Sequence, residues 1–150
     1  RQGHLLRRRT SRDGDIEVLI SHITIGTRDK ARAKAFYTPI MELLGYPPRD
    51  PAKSKQFVMW TAPDGGRPFF VIAEPFDGKA PSVGNGQMTA LVAPYRPAVD
   101  AAHAAALEAG ATDEGAPGLR PQYHANYYGA YFRDPDGNKV CIVCHDAVEG

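Results

Sequence analysis

Short β-branched runs alternate with two helical patterns along the chain. Residues 17–27 (EVLISHITIGT) read as a strand, and period two puts Ile20, His22 and Thr24 on one face and Ser21, Ile23 and Ile25 on the other. The spacing of Ala33, Phe36, Tyr37, Ile40, Met41 and Leu44 predicts a helix over 30–44, capped by Asp29 and terminated by Gly45. Pro39 lies inside that pattern and is expected to kink or split the helix. Strands are predicted over 55–61 and 68–74, around the turn Pro63-Asp64-Gly65-Gly66, and again over 87–93. An alanine-rich helix follows over 97–109, opened by Pro97 and stopped by Gly110, with His103 expected at its surface. Residues 75–86 and 115–122 read as loop from their Gly, Pro, Asp and Asn content.

The last element is the clearest. Residues 127–132 (YYGAYF) and 139–144 (KVCIVC) flank Asp134-Pro135-Asp136-Gly137-Asn138. Aromatic and β-branched flanks suit strands, Pro135 presets one turn corner, and Gly137 or Asn138 takes a left-handed conformation cheaply. This predicts a closing β-hairpin. The element order also repeats: Gly45 and Gly110 lie 65 residues apart, His22 and Met88 lie 66 apart, and the two Pro-Asp-Gly turns lie 72 apart. That period suggests two copies of one supersecondary unit.

Composition changes this picture little. The chain has 150 residues, 43% hydrophobic and 23% charged, as expected of one globular domain. Its net charge is +1, but five arginines against two aspartates in the first fifteen residues leave the remainder at −2, with no sign of a nucleic-acid groove. Residues 1–15 therefore read as an Arg-rich tail, and 16–148 as the folded domain. No run approaches the ~20 apolar residues of a membrane span. Two cysteines close together make no disulfide framework, and a cytoplasmic location is the expectation.

A strand, then Arg-Asp-Pro-Asp-Gly-Asn (133–138), then a strand resembles the closing hairpin of the vicinal oxygen chelate superfamily, which includes glyoxalase I, bleomycin-resistance proteins and extradiol dioxygenases. The internal repeat agrees with that resemblance over residues 17–146. The resemblance implies an α+β fold with two βαβββ modules, about 17–75 and 86–146, forming a curled, cleft-bearing mixed sheet with helices outside. It implies a homodimer as well, since open sheet edges invite pairing.

The resemblance also implies a place for a divalent metal (zinc, nickel, iron or manganese), held by first-strand and last-strand residues of each module. Those positions fall on His22, on Met88, on Cys141 and on Phe70 or Ile72, with Glu74 one step beyond as a substitute ligand. A thioether is a poor ligand for a hard ion, and a buried thiol resists deprotonation. The expectation is therefore a small organic molecule bound in the cleft, without a resident metal or other cofactor. A metal-dependent glyoxalase-type lyase or dioxygenase is the alternative, and a noncatalytic interaction protein is the second alternative. Candidate ligand-binding residues are Trp60, Phe70, Met88, Tyr123, His124, Tyr127, Tyr128 and Cys141, an aromatic set with a few polar groups, as small-molecule sites require.

Two motifs are set aside. Cys141-Ile142-Val143-Cys144-His145 matches the haem attachment pattern, yet on a strand residues three apart point to opposite faces, so haem is not expected. The run from Asp134 has its glycine misplaced for a calcium loop and His145 where the bidentate Glu belongs.

Overall fold

The computed structural model describes residues 18–49 and 56–148. The Arg-rich start, Glu17 at the beginning of the first predicted strand, and Lys55 lie outside the described residues. The elements run β1 (His22–Gly26), α1 (Lys30–Leu44), β2 (Phe57–Trp60), β3 (Phe69–Ala73), β4 (Thr89–Val92), α2 (Arg96–Glu108), β5 (Thr112–Leu119), β6 (Tyr128–Arg133) and β7 (Lys139–Cys144). They form a three-stranded sheet, β1-β3-β2, and a four-stranded sheet, β4-β7-β6-β5. In each, the first strand runs parallel to the last and the remaining pairs are antiparallel. The fold is α+β with two modules.

The repeat is visible in backbone hydrogen bonds. Thr27 N–H donates to Ala73 O at 3.0 Å, and Ala93 N–H, 66 residues later, donates to Val143 O at 2.8 Å. The helix caps Asp29 and Tyr95 are also 66 apart. The modules differ after the helix. Where module two builds β5, module one shows among the described residues only an isolated bridge between Pro48 and Trp60.

Helix α1 begins where Asp29 Oδ1 accepts the Arg32 N–H at 3.0 Å, and it ends where Gly45 turns left-handed at φ 77°. Of the two expected effects of Pro39, splitting does not occur, and α1 runs through it as one helix. Pro39 and Ala35 both lie on the exposed face, so the Ala35 carbonyl that loses its intrahelical donor is left to water.

Residues 115–122, expected as loop, are largely strand. β5 pairs with β6 through Gly115↔Tyr131, Gly118↔Gly129 and Leu119↔Tyr128, with register shifts between the pairs. Pro117 and the glycines are tolerated because β5 is an edge strand whose irregular pairing leaves some groups unmatched. His103, expected at the surface, is 5% exposed and its Nε2 meets Asp113 Oδ1 at 3.1 Å. The 66-residue offset makes it the counterpart of buried Tyr37 on α1.

One apolar core joins the modules. It holds Phe36, Tyr37, Ile40 and Met41 of α1, Trp60, Phe70 and Ile72 of the first sheet, and Val99, Ala102 and Ala106 of α2. Phe132, Val140 and Ile142 complete it from the second sheet. Phe36 meets Phe132 edge-on at 5.9 Å, so a side chain of the first helix reaches a strand of the second module's sheet.

The Asp134–Asn138 turn fastens the modules together. Asp134 Oδ2 accepts the Tyr37 hydroxyl at 2.7 Å and Asn138 Nδ2 at 3.0 Å, while its Oδ1 accepts the Asp136 and Asn138 N–H groups, both at 2.9 Å. Asp136 accepts Thr27 Oγ1 at 2.6 Å, Arg28 N–H at 2.9 Å and Arg32 Nη2 at 2.9 Å. Asn138 Nδ2 also donates to Gly26 O at 2.9 Å. The first module's turn has Ala62 and Gly66 where these positions carry Asp134 and Asn138: Ala62 N–H donates to Gly66 O at 3.0 Å just as Asp134 N–H donates to Asn138 O at 2.9 Å.

Candidate functional site

Each sheet has a helix-packed face and a helix-free face, and strand alternation sorts the side chains. On β7, Val140, Ile142 and Cys144 enter the core, so Cys141 and Val143 point the other way. Across the hairpin Cys141 pairs with Tyr131, and beyond that Tyr131 pairs with Gly115. Three glycines make room on this face. A Cβ on Gly129 would lie 2.9 Å from Tyr127 Cε1, one on Gly115 would lie 3.1 Å from Tyr131 Cδ2, and one on Gly118 would lie 3.2 Å from Arg120 Nη1. Their missing side chains let two tyrosine rings and a guanidinium rest close against the backbone.

The result is an aromatic floor. The Tyr127 and Tyr131 hydroxyls are 3.0 Å apart, and Tyr127 Oη is 3.5 Å from Cys141 Sγ. Arg120 lies 5.5 Å and Lys139 5.9 Å from the Tyr131 ring centre. Tyr123, 62% exposed, leans tilted against Tyr127 with ring centres 4.8 Å apart and extends the floor outward. His124 Nδ1 accepts the Asn126 N–H at 3.2 Å, which leaves the ring proton on Nε2 to be donated to His145 Nδ1 at 2.8 Å. Both imidazoles lie beside the Tyr127 ring.

Burial pushes the Cys141 thiol up, against the Tyr127 and Tyr131 hydroxyls and the charges of Arg120 and Lys139, which pull it down. Burial, followed by the hydrogen bonds to Tyr131 and Cys141, pushes the Tyr127 phenol up as well. These groups stay protonated and act as neutral hydrogen-bonding partners. Cys141 is fully buried, so its sulfur supports the floor from below.

A groove adjoins the floor. β1 and β4 are edge strands of their own sheets, and about 510 Å³ lies between them, lined by Thr24, Gly26, Val83, Met88, Asn138 and Lys139 among others. The inter-module connection crosses β1 tightly here, since a Cβ on Gly26 would stand 2.9 Å from Pro81 Cβ.

The structure distributes the expected residues unevenly. Tyr123, His124, Tyr127 and Cys141 come together on the floor, and Met88 lines the groove. Trp60 and Phe70 do not: they are 1% and 4% exposed and pack in the core. Phe70 pairs with helix-facing Ile23, so its neighbours Phe69 and Val71 take the helix-free side. Tyr128 also turns toward the helices, where its hydroxyl donates to Asp100 at 2.6 Å and Arg96 covers its ring.

His22 is exposed and bonded to Ser21 Oγ at 3.0 Å. It sits opposite Phe69, whereas Glu74 lies five residues further along β3 and beyond its end, about 16 Å away at ~3.3 Å per residue. The two cannot share one ion. Register also corrects the fourth position. Val71 faces Thr24 as Cys141 faces Ala90, so the counterpart of Cys141 is Val71, and neither Phe70 nor Ile72. Among the described residues no three His, Cys, Asp or Glu side chains are placed to hold an ion together.

Tyr131, Arg120, Lys139 and His145 were not anticipated. Counting pairs outward from the 134–138 turn brings Tyr131 opposite Cys141, so the sequence held that signal. Arg120 follows β5, whose Gly and Pro content reads as loop.

The family model for the glyoxalase/bleomycin resistance protein/dioxygenase superfamily matches residues 19–142. A solved glyoxalase/bleomycin resistance protein from Albidiferax ferrireducens is 33% identical, covering 86% of this chain and 100% of that one, with a TM-score of 0.74. A superfamily enzyme from Burkholderia phytofirmans is 22% identical over 84% of this chain and 98% of its own, with a TM-score of 0.62. A glyoxalase-related enzyme from Fulvimarina pelagi is 19% identical over 83% and 86%, with a TM-score of 0.59. Among curated proteins none matches the chain significantly. With two modules in the described topology and a family match across both, the chain belongs to the glyoxalase/bleomycin resistance protein/dioxygenase superfamily.

Proposed function

We propose that this protein binds a small planar organic molecule on the helix-free face of its second module, without a resident metal ion. The observation that carries this reading is the floor itself. Gly115, Gly118 and Gly129 let Tyr127, Tyr131 and Arg120 lie low on the sheet, and Lys139 beside the Tyr131 ring also lines the groove between β1 and β4. An aromatic surface with a few hydroxyl donors beside a groove of this volume suits a drug-sized ligand.

The donor set argues against a metal. By register and by the 66-residue offset, the positions where the fold family places ligands carry His22, Val71, Met88 and Cys141. One imidazole, an alkyl group, a thioether and a thiol kept protonated by burial do not suit a hard divalent ion. A homodimer completes this reading. Phe57, Phe76, Met88 and Val92 are exposed apolar side chains for such an interface, and light scattering at two concentrations checks it.

The test combines metal analysis with ligand screening. Metal content by mass spectrometry, after incubation with zinc, nickel, iron(II) or manganese, is expected to be no higher than in His22→Ala. Planar aromatic compounds are expected to raise the melting temperature of the metal-free protein. Stoichiometric metal that disappears in His22→Ala would instead establish the lyase or dioxygenase reading.

A further inference from the structure

The floor carries an uncompensated charge. Arg120 Nη2 donates to Ala116 O at 2.8 Å and Nη1 only weakly to Leu119 O at 3.4 Å, which leaves N–H groups of the guanidinium unused. Among the described residues neither Arg120 nor Lys139 has a carboxylate partner. The acids of the surrounding elements are committed elsewhere. Glu114 pairs with Arg133 at 2.8 Å, Asp113 holds His103 and the Gly115 N–H, and Asp134 and Asp136 are occupied by the inter-module turn. Two cations thus flank the Tyr131 ring with no acid between them.

We infer that the ligand of this floor is an aromatic or conjugated carboxylate, its ring on Tyr127 and Tyr131 and its charge between Arg120 and Lys139. This inference rests on the reading of the face as a ligand floor. Three features of the site point to the same chemistry. Guanidinium N–H groups match a planar carboxylate in a way a point charge does not. The Tyr131 ring is shared by both cations, so a second ring stacked beside it brings its own substituent within their reach. The mutual contact of the Tyr127 and Tyr131 hydroxyls uses one of their two protons, and the other O–H is a donor that suits an acceptor-only group. The fields of both cations also reach the floor, since they act on the buried Cys141 thiol.

Calorimetric titration of the metal-free protein tests this with benzoate, cinnamate and 2-naphthoate, each beside its neutral primary amide. The acids are expected to bind at least tenfold more tightly than the amides. The preference is expected to shrink as salt rises and to fall severalfold in Arg120→Gln and, independently, in Lys139→Gln. Lys139→Gln changes the half-buried first residue of β7 and leaves β5 untouched, so it remains informative if Arg120→Gln perturbs the edge strand. Amides binding as tightly as acids, or a preference unchanged in both variants, overturns the charge assignment while the floor remains a binding surface. Binding of neither class overturns the floor as well.

Discussion

Tyr37 and Asp134, 97 residues apart, share a buried hydrogen bond of 2.7 Å that joins the first module's helix to the second module's turn. Asp134 also satisfies two backbone N–H groups and the Asn138 amide, so the tyrosine supplies one of four donors to a carboxylate that is almost fully enclosed. Burial, reinforced by the Asp134 charge and hydrogen bond, pushes the Tyr37 phenol well above its ordinary value.

Removing that hydroxyl in Tyr37→Phe is expected to cost about 1.5–3 kcal/mol, as for a hydrogen bond to a charged group. The raised phenol also makes stability fall with alkali. Above the unfolded value near ~10 the unfolded chain releases this proton while the folded chain keeps it. Urea midpoints between pH 8 and 11.5 are expected to decline in the native protein, with a shallower decline in Tyr37→Phe. Equal slopes would show that Tyr37 contributes nothing to the alkaline limb.

Asp136 governs the acid limb. Burial alone would raise its carboxyl, but Thr27, the Arg28 N–H and the Arg32 charge outweigh that and hold it below the ordinary value. Its contribution is present above the unfolded value of ~3.9 and is lost as pH falls through the folded one. Asp136→Asn is expected to lower stability at pH 7 and to flatten the loss between about pH 5 and 3. A mutant that unfolds in acid as steeply as the native protein contradicts this.

Gly129→Ala tests the floor. The new methyl meets the Tyr127 ring at 2.9 Å, so the ring must lift away from the sheet. The expected stability loss is modest, ~1 kcal/mol, because β6 keeps its ladder pairs. Binding of the aromatic acids is expected to weaken by more than that stability loss implies. Unchanged affinity would mean that ligands do not sit on Tyr127.

The elements with strong local signals were legible before any coordinates. The 30–44 helix follows from its apolar spacing with Asp29 and Gly45 at its ends, and the 66-residue repeat gave the equivalence of His22 and Met88. β5 was not legible, because its Gly and Pro content reads as loop and only pairing with β6 makes it a strand. His103 was misjudged for a similar reason. An alanine-rich helix shows a weak apolar stripe, and its buried face emerges only against the second sheet. Trp60 and Phe70 were placed in the cleft because their chemistry suits a ligand. The face a strand residue takes is set by register, and no local feature there reveals it. Of the residues that meet on the candidate floor, Tyr123, His124, Tyr127 and Cys141 carry a signal in the sequence, and the cations Arg120 and Lys139 do not.

The hydrogen bond from Asn138 to Gly26 O lies at the wall of the groove between the two modules, since both residues line it. Like the pivot of a calliper, it ties the end of β1 to the turn that leads into β7, the strand paired with β4. The width of that groove is therefore held by a contact between the modules themselves. Removing the Asn138 amide is expected to loosen that joint.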